Sequence, residues 1–410
     1  MKAFRIKSFT ATDGLPMAVL VDEDGSPLFL PNVYATLKYR DRGAADSTTQ
    51  KVLRTIGMSY LWAYSRKIDL HSTLTSEAFL SVEQCEDLAN FLRMSRGGQD
   101  AEVQTSLKAK PQKVVRLEQV RGRMAIAQPG SHASADESGY RIQTIANFLQ
   151  HLHERLSNHA LSSTEKAFKE ARESSIKRLR SLAPRTGATP QGDPVEGLPE
   201  NVMIKVEGVF IPGSDENPFK EGFIQARNYL MYKILSDNGM RRNELRHVRV
   251  DDVDYARKRV MARVSKTRSR NLVISQKTAE VFRKFVKDYW SAIPPRKRTH
   301  GYLFITRAGD QISKSATNRI FEVARSASEG IPGYFTPHTM RRTWNDRLSR
   351  KIDAMPADQR MPQEEEKKIR IINMGWTQES EMAARYGARS IREKADKIAE
   401  ELANEIADKA

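Results

Sequence analysis

TPHTMRRTW, residues 336–344, decides the reading of the chain. Its His338 and Arg341 stand three apart and so share one helix face. Working outward, three more segments of the same half carry chemistry that packing does not easily explain. GMRRNEL, residues 239–245, places Arg241 just past a helix-terminating glycine and Glu244 one turn further on. SKTRSR, residues 265–270, joins two strand-like runs, Arg259–Val264 and Asn271–Ser275, and puts Lys266 at a hairpin tip. MGWTQESEMAARYGARS, residues 374–390, offers Trp376 and then Tyr386. Taken singly, each has an ordinary account. Arg241 beside Arg242 and Arg246 makes a solvated basic face, Lys266 a turn lysine, His338 a capped or core histidine, and Trp376 a core residue.

The rest of the chain bounds what those segments can do. There are 410 residues, enough for two or three domains. Hydrophobic residues make up 39% and charged ones 29%, so neither a collagenous nor a disordered chain is expected. The 68 basic residues against 51 acidic ones leave +17, and a polyanion is the leading partner. Cys85 is the single cysteine, which excludes an intramolecular disulfide and a thiolate-rich zinc site. The opening MKAFRIKSFTATDG lacks the apolar run of a signal peptide, and no stretch reaches membrane-spanning length. A soluble, intracellular, cytoplasmic protein is expected.

Hydrophobic periodicity organises the chain. Phe4 and Ile6 alternate with polar neighbours, and MAVLV and PLFLP flank the turn-rich DEDGS, so residues 1–45 read as a short β element. From Asp46 the period turns helical, with Val52, Ile56, Tyr60 and Tyr64 on one face and a second helix over Glu83–Met94. Residues 96–139 read as a polar, irregular insertion. Helical periodicity returns over Ile142–Leu156 and the basic Ser163–Leu182. APRTGATPQGDPVEGLPE, residues 183–200, holds four prolines and three glycines and marks a linker, taken to run to 215. Beyond it Phe219, Phe223, Ala226, Leu230 and Ile234 keep a buried helical spacing up to Asp237-Asn238-Gly239, and the remainder is mostly helix with a small sheet. His151 and His153 are two apart on a helix, point in different directions and are expected in solvent, so no metal is assigned. Residues 396–410 are expected to form a terminal helix, on a stripe that runs Ile391, Ala395, Ile398, Leu402 and Ile406; it packs on its own domain, the simplest reading, or docks on a neighbouring copy of the chain.

In this order the four segments resemble the tyrosine recombinase, or phage integrase, family. Its pattern is an Arg in a G-x-R-x-x-E-L box, a Lys in a β-hairpin turn, an H-x-x-R box, a Gly followed by His or Trp, and a Tyr a few helical turns later. The resemblance spans about residues 216–395. It implies a mainly α fold with small β-sheets, in which residues 46–182 are a helical DNA core-binding domain and residues 216–395 a mixed α/β catalytic domain. It also implies that Arg241 and Arg341 are the paired arginines, Lys266 the hairpin lysine, His338 the box histidine, Trp376 the His/Trp position and Tyr386 the nucleophile. Two guanidiniums with forked donors suit the charge that builds on phosphorus-bound oxygens. A tyrosine hydroxyl titrating near pH 10 needs a proton acceptor, for which His338 is the best candidate. Lys266, its pKa lowered by the nearby arginines, would protonate the departing 5′ oxygen. Glu244 orients Arg241.

The resemblance further implies a site-specific recombinase that breaks and rejoins DNA through a 3′-phosphotyrosine intermediate, in integration, excision or transposition of a mobile element. No cofactor is expected, neither metal nor ATP. The implied partners are double-stranded DNA with inverted half-sites, a homotetramer on synapsed DNA and accessory DNA-binding proteins, in a bacterial or phage setting close to the nucleoid. Arg242, Arg257, Lys258, Arg259, Arg263, Arg268 and Arg270 are expected to contact the DNA backbone. The chain departs from the pattern at four places. Trp376 stands where most members have His, the Trp376–Tyr386 interval is slightly long, Arg342 replaces a common His, and KIDAMPADQRMPQEEEKK, residues 351–368, reads as an insertion. Tyr334 is the one competing tyrosine, expected to pack. The rival readings are a recombinase-fold DNA-binding protein without catalysis and a type IB topoisomerase.

Overall fold

The structure, a computed structural model, describes residues 4–76, 79–108, 132–157, 163–184, 197–265, 268–356, 359, 361–380 and 395–404. The chain divides into two compact units, residues 1–190 and 191–410.

The first unit opens with an antiparallel hairpin of β1 (Arg5–Thr10) and β2 (Pro16–Val21), with Ile6 opposite Leu20 and Ser8 opposite Ala18. Ala18 and Leu20 pack inward with Ala35 and Leu53. The strand expected at PLFLP is instead the start of α1 (Phe29–Ala35). Pro31 sits in its first turn, where a missing N–H costs no helical bond, and the helix buries Tyr34 and Ala35. Next come α2 (Asp46–Arg66), α3 (Leu70–Thr75) and α4 (Val82–Arg93). Ser81 starts α4 with a reciprocal capping box to Gln84, a feature that stabilises a helix start by about 1 kcal/mol.

Two further expectations for this unit are corrected. The polar stretch 96–139 is not wholly irregular, because α5 (Arg96–Lys108) and the start of α6 (Ala135–Ser157) lie in it, while residues 109–131 are outside the described residues. His151 and His153 are buried, at 7% and 4% exposure. Their helix packs on α1, α2, α4 and α7 (Ser163–Ser181), so side chains leaving it in different directions still meet protein. The His151 ring lies 5.2 Å from that of Tyr34, and His153 Nε2 is 3.4 Å from Glu173.

In the second unit α8 (Glu200–Phe210) falls inside the expected linker, and its Val206, Val209 and Phe210 are buried in the main core. Polar and Pro-rich flanks mask that helix in the sequence. The central α9 (Gly222–Asn238) ends at Gly239 in the left-handed region, φ +61°, and is followed by the short α10 (Arg242–Arg246). A three-stranded antiparallel sheet follows, β3 (Val253–Asp254), β4 (Arg259–Ala262) and β5 (Arg270–Val273), in that spatial order. Then come α11 (Gln276–Phe285), α12 (Lys314–Ser326), α13 (Pro337–Asp353) and α14 (Gln363–Met374). Leu230, Ile234 and Leu235 of α9 meet Phe285, Phe304, Phe321 and Phe335 in one apolar core. Half of the stretch 351–368 read as an insertion is helical, its first residues ending α13 and its last ones opening α14. The latter starts after Pro362 with Glu364, Glu365 and Glu366 at its positive end. Residues 395–404 are helical and exposed throughout, so in this chain they do not pack on their own domain. Among the described residues, no helix is long and apolar enough to cross a membrane.

Candidate active site

The site is built where the ends of three helices meet. Thr336 caps α13, its Oγ1 accepting from the Thr339 N–H at 3.2 Å, and Pro337 fixes the first turn. That turn leaves His338 facing solvent and carries Arg341 inward, where it is 2% exposed. Arg341 Nη1 donates to Gly239 O at 3.0 Å and Nη2 to Met374 O at 2.6 Å, so one guanidinium spans the C-terminal ends of α9 and α14. The Trp376 ring sits 5.5 Å from that guanidinium and is buried with Ile371, Met374 and Trp344. Trp376 therefore contacts the site through its ring face, as a cation–π partner of Arg341.

Arg241 lies at the N-cap of α10. Its Nη1 donates to Glu244 Oε1 at 2.7 Å and its Nη2 to Gly375 O at 3.3 Å, the carbonyl next to the one Arg341 uses. The Glu244 carboxylate also accepts the Arg241 backbone N–H at 2.9 Å, Ser265 Oγ at 2.8 Å, and Arg270 Nη2 and Nη1 at 2.8 and 3.0 Å. Burial alone would raise this carboxyl. The bonds and charge of Arg270, then the bonds from Arg241, overcome it and pull the pKa down to about 2.

Arg241 and Arg341 line an open cleft of about 530 Å³ with His338, Arg242 and residues of α12. Partial burial, then the charges of Arg342, Arg341 and Arg241, push the His338 imidazole below its usual range, which favours the neutral, proton-accepting ring. Sequence reasoning missed Asn318, Glu322 and Arg325, which reach the same cleft from α12. Their i, i+4, i+7 spacing is the signal of one helical face.

Arg241, His338, Arg341 and Trp376 thus come together, while Lys266 and Tyr386 lie outside the described residues. Among the basic residues expected on DNA, Arg270 is corrected. It is buried on the inner face of β5 beside Leu272 and holds Glu244 and Asn373 O. Arg242 bonds to Asn318 at the cleft. Arg263 and Arg268 are exposed on the loop that carries Ser265, and Arg263 is paired with Asp252. Arg257 and Lys258 sit at the opposite end of β4, about 13 Å away by strand rise, so the structure does not gather all seven at one place. Tyr334 does not pack; it is 52% exposed four residues before His338. Among the described residues, no group of three or more His, Cys, Asp and Glu side chains could hold a metal ion.

Two arginines on adjacent carbonyls, beside a histidine whose pKa is lowered and in an open basic cleft, offer donors suited to an anionic oxygen ligand. Residues 217–360 match the model of the phage integrase family. That stretch of the second unit is thus a phage integrase family domain. It is similar to a solved XerA recombinase at 17% identity, over 66% of this chain and 90% of that one, with a TM-score of 0.36. It is also similar to the XerH site-specific recombinase in a post-cleavage complex with a palindromic difH substrate, at 14% identity, over 84% and 97% of the two chains, TM-score 0.41. The Tn1549 transposon integrase in complex with transposon right end DNA matches at 16% identity, over 76% and 99%, TM-score 0.37. No curated protein sequence matches the chain.

Proposed function

We propose that this chain cleaves duplex DNA with Tyr386 and rejoins it to a partner strand. The carrying observation is that Arg241 and Arg341 rest on the consecutive carbonyls of Gly375 and Met374 while both line the cleft beside His338. In the first step the Tyr386 oxygen attacks phosphorus, His338 takes its proton and the paired guanidiniums hold the non-bridging oxygens as charge builds there. The phosphorus–O5′ bond breaks, Lys266 gives the departing oxygen its proton, and a 3′-phosphotyrosine remains. Attack by the partner strand's 5′ hydroxyl reverses these transfers and frees Tyr386. No step consumes a nucleotide triphosphate, because one phosphoester is exchanged for another.

Two protomers would bind inverted half-sites and two such pairs would synapse as a tetramer, with accessory proteins setting direction. The exposed stripe of Ile398 and Leu402 on the terminal helix supports a contact with a neighbouring protomer. The exposed Arg257, Lys258, Arg259 and Arg268 and the charge of +17 support backbone binding in the cytoplasm of a DNA-bearing cell or phage host. The test is a suicide substrate nicked near the cleavage point, drawn from the DNA flanking the gene and incubated with a chelator. A covalent band with wild type that vanishes in Tyr386→Phe and survives in Tyr334→Phe is expected. A band that persists in Tyr386→Phe would assign the wrong tyrosine.

A further inference from the structure

We propose that Arg370, remote from the phosphate, is a positioning residue for the arginine pair, an inference that rests on the recombinase reading above. The C-terminal carbonyls of a helix have no partner within it. At the end of α14 three consecutive carbonyls, the last that of the capping Gly375, are each taken by an arginine: Asn373 O by Arg270 Nε at 2.9 Å, Met374 O by Arg341 Nη2 at 2.6 Å and Gly375 O by Arg241 Nη2 at 3.3 Å. The negative end of the helix dipole adds to each bond. The register of α14 therefore sets where the two phosphate-facing guanidiniums point.

What fixes that register is polar. The apolar contact under α14 is small, comprising Ile371, Met374, Trp376 and Trp344. Beside it Arg370 is 1% exposed, a fully buried guanidinium on the middle of the helix. Its Nε and Nη2 donate to Glu366 Oε1 at 2.9 and 2.6 Å, Nη2 to Ser349 Oγ at 2.6 Å, and Nη1 to Asn345 O and Oδ1, both at 3.3 Å. Asn345 closes the path to the site, since its Nδ2 donates to Arg341 O at 2.9 Å and contacts Met374 Sδ at 3.1 Å. A buried ion pair adds little net stability over a well-packed apolar side chain, but its planar fork defines one rotation and one height of α14 against α13. An apolar residue of similar volume would fill the space and leave both free.

The experiment compares wild type, Arg370→Met and Arg370→Lys on the suicide substrate, with a scissile phosphate or a methylphosphonate whose neutral phosphorus needs no charge clamp. Single-turnover cleavage, DNA affinity and thermal midpoint are measured on the full chain. Expected is a loss of roughly 10- to 100-fold in cleavage of the phosphate by both variants, the scale of a misplacement of about 1 Å, with affinity within about twofold. On the methylphosphonate the variants should recover toward the wild-type rate. Equal loss on both substrates would mean a structural role only, and unchanged phosphate cleavage would mean none; either overturns the proposal. If Arg370→Met does not fold, Ser349→Ala and Glu366→Gln loosen the same fork and must show the same selective recovery. Absence of an adduct from wild type would instead sink the recombinase reading, and the positioning proposal with it.

Discussion

Arg270 and Glu244 form a buried ion pair, with Arg270 Nη2 and Nη1 2.8 and 3.0 Å from the two carboxylate oxygens and both side chains at most 5% exposed. The pair is the hub on which Arg241 is oriented, because the same carboxylate holds the Arg241 side chain and backbone N–H. A residue that looks in sequence like one more phosphate contact is therefore part of the frame.

Arg270→Met strands Glu244 with a single cationic partner and should destabilise the protein by about 3–5 kcal/mol, read as a lower thermal midpoint. The exposed Arg268 should behave in the opposite way. Arg268→Ala is expected to leave the midpoint unchanged and to lower the salt dependence of DNA binding by about one phosphate contact. Equal midpoints for the two variants would refute the distinction. The pair also sets an acid limit. The folded pKa of Glu244 is depressed, so its stabilisation is present above the unfolded carboxylate value and is lost as pH falls toward about 2.

Gly375 ends α14 at φ +57°, and a Cβ there would lie 2.7 Å from Arg270 Nη1. Arg270 is held by Glu244 and Asn373 O, so its guanidinium cannot swing away cheaply. Gly375→Ala should cost about 1–2 kcal/mol for the left-handed backbone alone and reduce cleavage further by moving the carbonyl that Arg241 uses. Gly213, also at positive φ but with nothing within 4 Å of an added methyl, is the control: Gly213→Ala should lower the midpoint only by the backbone cost and leave cleavage intact.

The sequence made the long helices, the β4–β5 hairpin and the convergence of Arg241, His338 and Arg341 on one cleft legible, because those rest on local spacing. What it hid depends on what lies opposite. Arg270, Leu272 and Ile274 share a strand face, and that alternation places Arg270 inward, yet its basic neighbours in SKTRSR suggested solvent. His151 and His153 looked exposed because one helix face seemed enough for the core; α6 is packed on several sides. Residues 200–210 were hidden by the Pro- and Gly-rich stretch before them. Asn318, Glu322 and Arg325 carry no motif, and only the cleft brings them to the site.

His338 should give cleavage an acid limb displaced below the ordinary histidine range. Burial and the neighbouring arginines lower its pKa, so the neutral, proton-accepting ring persists to more acidic pH than a free histidine allows. Single-turnover rates should rise with pH through that lowered value and be flat by neutrality. His338→Gln keeps hydrogen-bonding capacity without titrating, and should lower the plateau by about 100-fold or more while abolishing the limb. A limb unchanged in His338→Gln would assign the titration to another group.

His151 makes a further, independent pH prediction, in the first unit. Its Nε2 is buried with no hydrogen-bond partner among the described residues, and burial first, then the charges of Lys38 and Arg155, lowers its pKa. The folded state therefore binds this proton less readily than the unfolded chain does. Stability that is fully present above the unfolded histidine value, about 6.5, must fall as pH drops through the lowered folded value. The neighbouring His153 lies with its Nε2 3.4 Å from Glu173. His151→Phe, which keeps a ring against Tyr34, should flatten the loss of thermal stability between about pH 6.5 and pH 5. The same slope in wild type and His151→Phe would show that the ring takes up its proton without cost, and that a group other than His151 governs the acid response of this unit.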